Sequence, residues 1–201
     1  MQRYYSRIYW HFTGSPKGGH EPASSPDELL KKSNPKPEAE SVEILLSILG
    51  SRVLEATSTE KVGAYETKAF CSTTDIPFKD LLDHADYYGK AAIGFKAEAV
   101  HDVFLPVLYL SATHQLRNEL IDGKKHPLMD FIKITDFHPE EGHTFYRERE
   151  WRSTGDFKFT KEQVAAIVVP NQAVKDVRSF LMEHAYPEDI SILSWRLIEE
   201  A

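Results

Sequence analysis

The run Val164-Ala165-Ala166-Ile167-Val168-Val169-Pro170 constrains this chain more than any other stretch, because it is the most apolar segment present. Apolar residues in succession, without polar alternation, read as a strand covered on both faces, so the run is expected to be a central strand. A chain of 201 residues with 41% hydrophobic content is long enough to bury one good core and too short for two independent ones. One domain over 1–201 is therefore expected.

The remaining segments surround that strand irregularly. Tyr4–Thr13, rich in Tyr, Trp, Ile and Phe, reads as a first strand. Residues 14–40 are polar and rich in Pro, Ser and charge, which predicts a long loop that serves as a lid, a binding loop or a disordered insert. Ser41 is placed to cap a helix in which Val42, Leu45, Leu46 and Leu49 recur at helical spacing before Gly50. Short strands follow at Arg52–Ala56 and Glu66–Ser72, then a helix over Phe78–Tyr88 stopped by Gly89. Ala91–Phe95 reads as a strand in which Gly94 admits close approach of a ligand or another backbone. A brief helix at Ala97–Val103 and a strand at Phe104–Leu110 come next, with Pro106 marking an edge or a bulge. Helical segments are expected over Thr113–Leu120, around Leu128–Ile132 and over Gln172–His184, a loop over Asp136–His143, and a closing strand at Ile190–Leu197. Strands separated by single helices, with no regular alternation and no internal repeat, predict an α+β fold with a mixed, largely antiparallel split sheet and flanking helices.

Charge and cysteine content narrow the function classes. Twenty-four basic against 31 acidic residues give a net charge of -7, which disfavours a generic electrostatic grip on nucleic acid. The single cysteine, Cys71, excludes an internal disulfide framework and a cysteine-based zinc site. The aromatic, basic N-terminus lacks the apolar core of a signal peptide, and no apolar stretch approaches membrane-spanning length, so a cytoplasmic protein with no membrane partner is expected. Gly14, Gly18 and Gly19 precede no Lys-Ser/Thr and no helix, which argues against a phosphate loop. His138 and His143 are separated by helix breakers, so no metal is expected, and Ser72 and Ser153 lack a nucleophile-elbow context.

The densest chemistry lies in Tyr146-Arg147-Glu148-Arg149-Glu150-Trp151-Arg152. Taken as a strand, it sets Tyr146, Glu148, Glu150 and Arg152 on one face and Arg147, Arg149 and Trp151 on the other. Two carboxylates one strand repeat apart repel each other, and in a cleft one of them can take a raised pKa suited to acid/base work or to stabilising a developing cation. Arg152, on the same face, either quenches the acids or binds a phosphate. A solvated edge strand of self-neutralising charge is the plainer alternative. Beside this segment stand His11 at the end of an aromatic strand and the pair Tyr87-Tyr88 before Gly89.

Trp10-His11-Phe12-Thr13, Val42–Leu49, Cys71–Pro77, His84 through Tyr88 to Phe95, Pro106–Tyr109 and Arg149-Glu150-Trp151-Arg152 together resemble the AbiGi family of abortive-infection, phage-resistance proteins, from residue 10 to about 170. That resemblance implies the antitoxin half of a two-gene system and hence a toxin or antitoxin partner protein. More distantly, the order His11, Tyr88, Glu150 is similar to that of His-Tyr-Glu ADP-ribosyltransferases, which implies an ADP-ribosyltransferase-like domain with NAD as substrate and a nucleic acid or protein as acceptor. In such a site His11 hydrogen-bonds the nicotinamide-side ribose, with Phe12 and Thr13 among the NAD-binding residues. Tyr88 or Tyr87, with Phe95 nearby, offers a flat surface to nicotinamide, and Glu150 or Glu148 stabilises the oxocarbenium-like sugar. Arg152 holds a phosphate of the dinucleotide. The competing expectation is a non-enzymatic module that binds a toxin partner through its acidic surface, and a third is a metal-dependent hydrolase using Glu148, Glu150 and His143.

Overall fold

A computed structural model of the chain describes residues 6–15, 34–111, 126–135 and 144–200. Tyr4 and Tyr5, most of the polar stretch including Gly18 and Gly19, the segment Thr113–Leu120, and His138 with His143 lie outside the described residues. In chain order the elements are β1 (Ile8–Phe12), α1 (Glu38–Ser51), β2 (Val53–Leu54), β3 (Lys61–Val62), β4 (Tyr65–Glu66), β5 (Cys71–Thr74), α2 (Leu81–Tyr88), β6 (Ala92–Lys96), α3 (Ala97–His101), β7 (Leu105–Pro106), β8 (Leu108–Ser111), β9 (Ile132–Thr135), β10 (Glu150–Ser153), β11 (Phe157–Lys158), β12 (Val164–Val169), α4 (Val174–Glu183), β13 (Ser191–Ser194) and α5 (Trp195–Glu200).

The apolar run is β12, held between β6 and β13 in a seven-stranded sheet of order β13-β12-β6-β1-β5-β10-β7. Only the β12–β13 pair in this sheet is parallel. Smaller two-stranded sheets pair β2 with β11, β3 with β4, and β8 with β9. The fold is α+β with a mixed, largely antiparallel sheet, as the irregular element order predicts. Among the described residues no helix is long and apolar enough to cross a membrane.

Strand alternation divides the core into two layers. Tyr9, Ile93, Phe95, Ile167 and Val169 face Val42, Leu45 and Leu49 of α1 and Val177 and Leu181 of α4. Trp10, Phe12, Ala92, Ala166 and Val168 face Leu81 and Ala85 of α2 and Trp195 and Ile198 of α5. Burial on both faces is what allows β12 to be apolar throughout.

Several boundaries differ from the sequence expectation, each for a local reason. α1 begins at Glu38 behind Pro37, inside the stretch read as loop, and Ser41 sits one turn in with its hydroxyl donating to the Pro37 carbonyl at 3.1 Å. The expected strand Glu66–Ser72 is two strands, Tyr65–Glu66 and Cys71–Thr74, in different sheets. The final strand ends at Ser194, and Trp195 starts α5 with its indole N–H donating to the Lys90 carbonyl at 2.7 Å. At Gly94 the close neighbours are side chains of β1: a Cβ there would stand 2.6 Å from Ile8 Cγ2 and 2.8 Å from the Trp10 ring. Pro106 does lie on an edge strand, opposite Trp151.

Candidate active site

The segment Tyr146–Arg152 is not one strand. Phe145–Glu148 forms a 3-10 turn, Arg149 takes a left-handed conformation at φ 46°, and the strand begins only at Glu150. A non-glycine residue in that region is strained, and here the Arg149 side chain is anchored to Asp75 through Nε–Oδ1 at 2.7 Å and Nη2–Oδ2 at 3.0 Å. The kink separates Glu148 from the strand, so the single-face arrangement expected for Tyr146, Glu148, Glu150 and Arg152 holds only for Glu150 and Arg152, which stand two residues apart on β10 and share a face.

Glu148 is buried, and each part of it is held. The Thr74 hydroxyl donates to its carbonyl, the Tyr88 hydroxyl donates to Oε1 at 2.6 Å, and the Lys133 ammonium lies 2.6 Å from Oε2. Burial raises the Glu148 pKa, while the Lys133 charge opposes that rise. Glu150 behaves oppositely. Burial works against its ionisation, but Arg152 and Lys133 overcome this and hold its carboxyl down at about 2. Arg152, 1% exposed, grips Glu150 through Nε at 2.9 Å and Nη2 at 2.8 Å, also pairs with Glu60, and lies 4.1 Å from the centre of the Phe70 ring. Three carboxylates, Glu60, Glu148 and Glu150, thus share two cations, which leaves one net negative charge in the cluster.

That charge borders a cavity of about 260 Å³ lined by Ile76, Asp80, Asp83, His84, Tyr87, Tyr88, Arg147 and Glu148. Its aromatic wall is continuous: His84 stacks on Tyr88 at 4.4 Å, and Phe12 lies 4.9 Å from His84 behind it. Burial and the neighbouring Glu148 carboxylate keep the Tyr88 phenol well above its ordinary pKa, so it acts as a donor. Arg147 faces the Tyr87 ring at 5.8 Å.

Residues 47–196 match the family model described as "Putative abortive phage resistance protein AbiGi, antitoxin". The chain belongs to the AbiGi family. The match takes in Tyr87, Tyr88, Phe95, Glu148, Glu150 and Arg152 of this AbiGi chain and leaves out His11, Phe12 and Thr13. Curated proteins give no match. Among solved structures the chain is similar to Thermus sp. 2.9 DarT in complex with carba-NAD+, at 13% identity and a TM-score of 0.44, over 93% of this chain and 95% of that one.

Of the residues singled out by sequence, Tyr87, Tyr88 and Glu148 line one cavity, Phe12 backs its wall, and Glu150 and Arg152 join it through Lys133. His11, Thr13 and Phe95 are not brought there. Trp10, Thr74 and Glu150 pair across three strands and so share a face, whereas His11 alternates with Trp10 and pairs with Ile93 on the opposite face. Its Nδ1 donates to the Ser72 carbonyl at 2.9 Å, and burial drives its pKa down, leaving a neutral ring. Phe95, 0% exposed, packs edge-on against Phe157 and Phe159 and offers no surface to a ligand. The Thr13 hydroxyl donates to the Ser41 carbonyl at 2.7 Å and ties β1 to α1. Sequence reasoning missed Lys133, Glu60 and His84 as parts of the site. His84 is one helical turn before Tyr88, a spacing that could have signalled it. Nothing local marks Lys133 or Glu60.

Proposed function

We propose that this AbiGi protein is a phage-defence enzyme that cleaves NAD and transfers ADP-ribose to a nucleic acid or protein. The observation that carries the reading is Glu148, a buried carboxylate with both oxygens held, beside an aromatic cavity that contains more acids than bases. The nicotinamide of NAD is a planar cation. Stacking against Tyr87, Tyr88 and His84 orients such a ring, and the surplus negative charge attracts it.

In the reaction the bond from C1′ of the nicotinamide ribose to the ring nitrogen breaks, and its electron pair leaves with neutral nicotinamide. The sugar becomes oxocarbenium-like, and the Glu148 carboxylate stabilises that charge from a desolvated, pre-oriented position. An acceptor lone pair then forms the new bond to C1′, and the acceptor proton passes to solvent. Arg147 is the cation placed to hold a phosphate of the dinucleotide. Glu150 and Arg152 neutralise one another and serve as support, and His11 and Phe95 have no part in this reading.

The test is nicotinamide release from NAD by the purified chain, with a cell extract supplying acceptors. Release that falls at least about a hundredfold in Glu148→Gln, and much less in Glu150→Gln, supports the reading. Absence of release under all conditions sinks it.

A second reading is favoured by the 2.6 Å ion pair between Lys133 and Glu148. A carboxylate already paired suits a static recognition pocket, in which Asp80, Asp83 and the aromatic wall receive an arginine or lysine of a toxin. Capture of the neighbouring gene's product, lost in Asp80→Asn/Asp83→Asn and unaccompanied by NAD cleavage, would select this antitoxin role.

A further inference from the structure

We propose that Lys133 is the positioning residue of this site, holding the Glu148 carboxylate ionised and fixed toward the cavity through a direct ion pair. This assignment rests on the reading of Glu148 as the group that faces the reacting sugar.

The geometry singles out Lys133. It stands on β9, in the small parallel sheet with β8 and outside the large sheet that carries Glu150. Ile132 is buried against Val62 and Met129, so strand alternation turns Lys133 to the other side, toward the carboxylates. Its ammonium is 2.6 Å from Glu148, 3.5 Å from Glu150 and 3.8 Å from Glu60, and lies 4.9 Å from the centre of the Phe145 ring. Arg152 is occupied by Glu150 and Glu60. Among the described residues, Lys133 is thus the one cation within ion-pairing distance of Glu148.

The chemistry follows from burial. A carboxylate out of water tends to take up a proton, and a protonated Glu148 cannot stabilise a cationic sugar. Burial also works against the Lys133 ammonium, but Glu148, Glu60 and Glu150 hold it charged well above its ordinary range. The groups that face this pair are Glu150 and Arg152 on β10, Glu60 before β3, Tyr88 on α2 and Tyr109 on β8, with Asp80, Asp83, His84 and Arg147 around the cavity. Of these, Tyr88 fixes Oε1, and Lys133 supplies the opposing charge at Oε2.

The experiment is a carbon-13 NMR titration of the Glu148 side-chain carboxyl in the full chain, assigned by its loss in Glu148→Gln. The expected result is a midpoint at least about tenfold higher in proton affinity in Lys133→Gln and a return to the wild-type value in Lys133→Arg, since both cations supply the charge and the amide does not. An unchanged midpoint in folded Lys133→Gln overturns the proposal. Should Lys133→Gln fail to fold, Lys133→Gln/Glu60→Gln, which offsets the lost cation by removing its most distant acid partner and keeps Glu148, is titrated in its place with the same two outcomes. Where the wild type releases nicotinamide, the acid limb of its rate profile moves up in Lys133→Gln with the titration. A wild type that releases none defeats the transferase reading alone, because the titration still reports on Lys133.

Discussion

The Tyr88 hydroxyl donates to Glu148 Oε1 at 2.6 Å, joining the last residue of α2 to the end of the turn before β10 across 60 residues of sequence. A hydrogen bond to a charged, buried acceptor contributes about 1.5–3 kcal/mol. Tyr88→Phe keeps the ring, and with it the stacking on His84, while removing the donor. It should lower the unfolding free energy by that amount in urea titrations. A loss below about 0.5 kcal/mol would mean that the bond contributes nothing, since changes of that size are ordinary for neutral surface substitutions.

Arg152 tests the other end of the cluster. Truncating one member of a buried ion pair strands its partners, at a cost of about 3–5 kcal/mol. Arg152→Met should therefore destabilise strongly, because Glu150 and Glu60 lose a shared cation. Adding Glu150→Gln to that variant should recover part of the loss. Urea midpoints for the two single variants and the double variant close the cycle, and strict additivity would show that the two residues do not interact.

Acid should weaken the fold through Glu150 in particular. Its carboxyl is held at about 2 in the folded chain against an ordinary 4.5, so its contribution is present above pH 4.5 and disappears as pH falls toward 2. Glu148 has the opposite sign. Its raised pKa gives a contribution that is present below pH 4.5 and is lost as pH rises through the folded value. Between pH 4.5 and 2, the stability of Glu150→Gln should consequently fall less steeply than that of the wild type. Parallel curves would remove Glu150 from the acid response.

The parts that were legible in sequence rest on local signals, and the parts that were not rest on distant partners. β12 was readable because a strand buried on both faces needs no polar alternation, and α1 was readable from Val42, Leu45 and Leu49. The convergence of Tyr88 with one of two glutamates was within reach, but the choice between them was not. It depends on the left-handed Arg149, which Asp75 holds from the end of β5, and no turn residue marks it. The face of His11 was not legible, because an end-of-strand histidine carries no sign of its face until its register with Ile93 is known. Lys133 was invisible for the same reason, as its partners come from residues 60, 148 and 150.

Gly89 packs its backbone against Gly14 immediately after Tyr88 of the cavity wall. It follows Tyr88 directly, at φ 82° and ψ 169°, a region essentially reserved for glycine. A Cβ there would also stand 2.7 Å from the Gly14 Cα, and backbone cannot move aside as a flexible side chain can. Strain alone costs about 1–3 kcal/mol, and the collision adds to it. Gly89→Ala should accordingly destabilise by about 2 kcal/mol or more and, by shifting Tyr88, reduce nicotinamide release beyond what its stability loss explains. Gly155→Ala is the control, since its added carbon meets nothing within 4 Å and should leave the melting temperature unchanged. Equal melting temperatures for the two variants would show that the contact between Gly14 and Gly89 is not a constraint, and that the wall of the cavity is fixed by α2 packing alone.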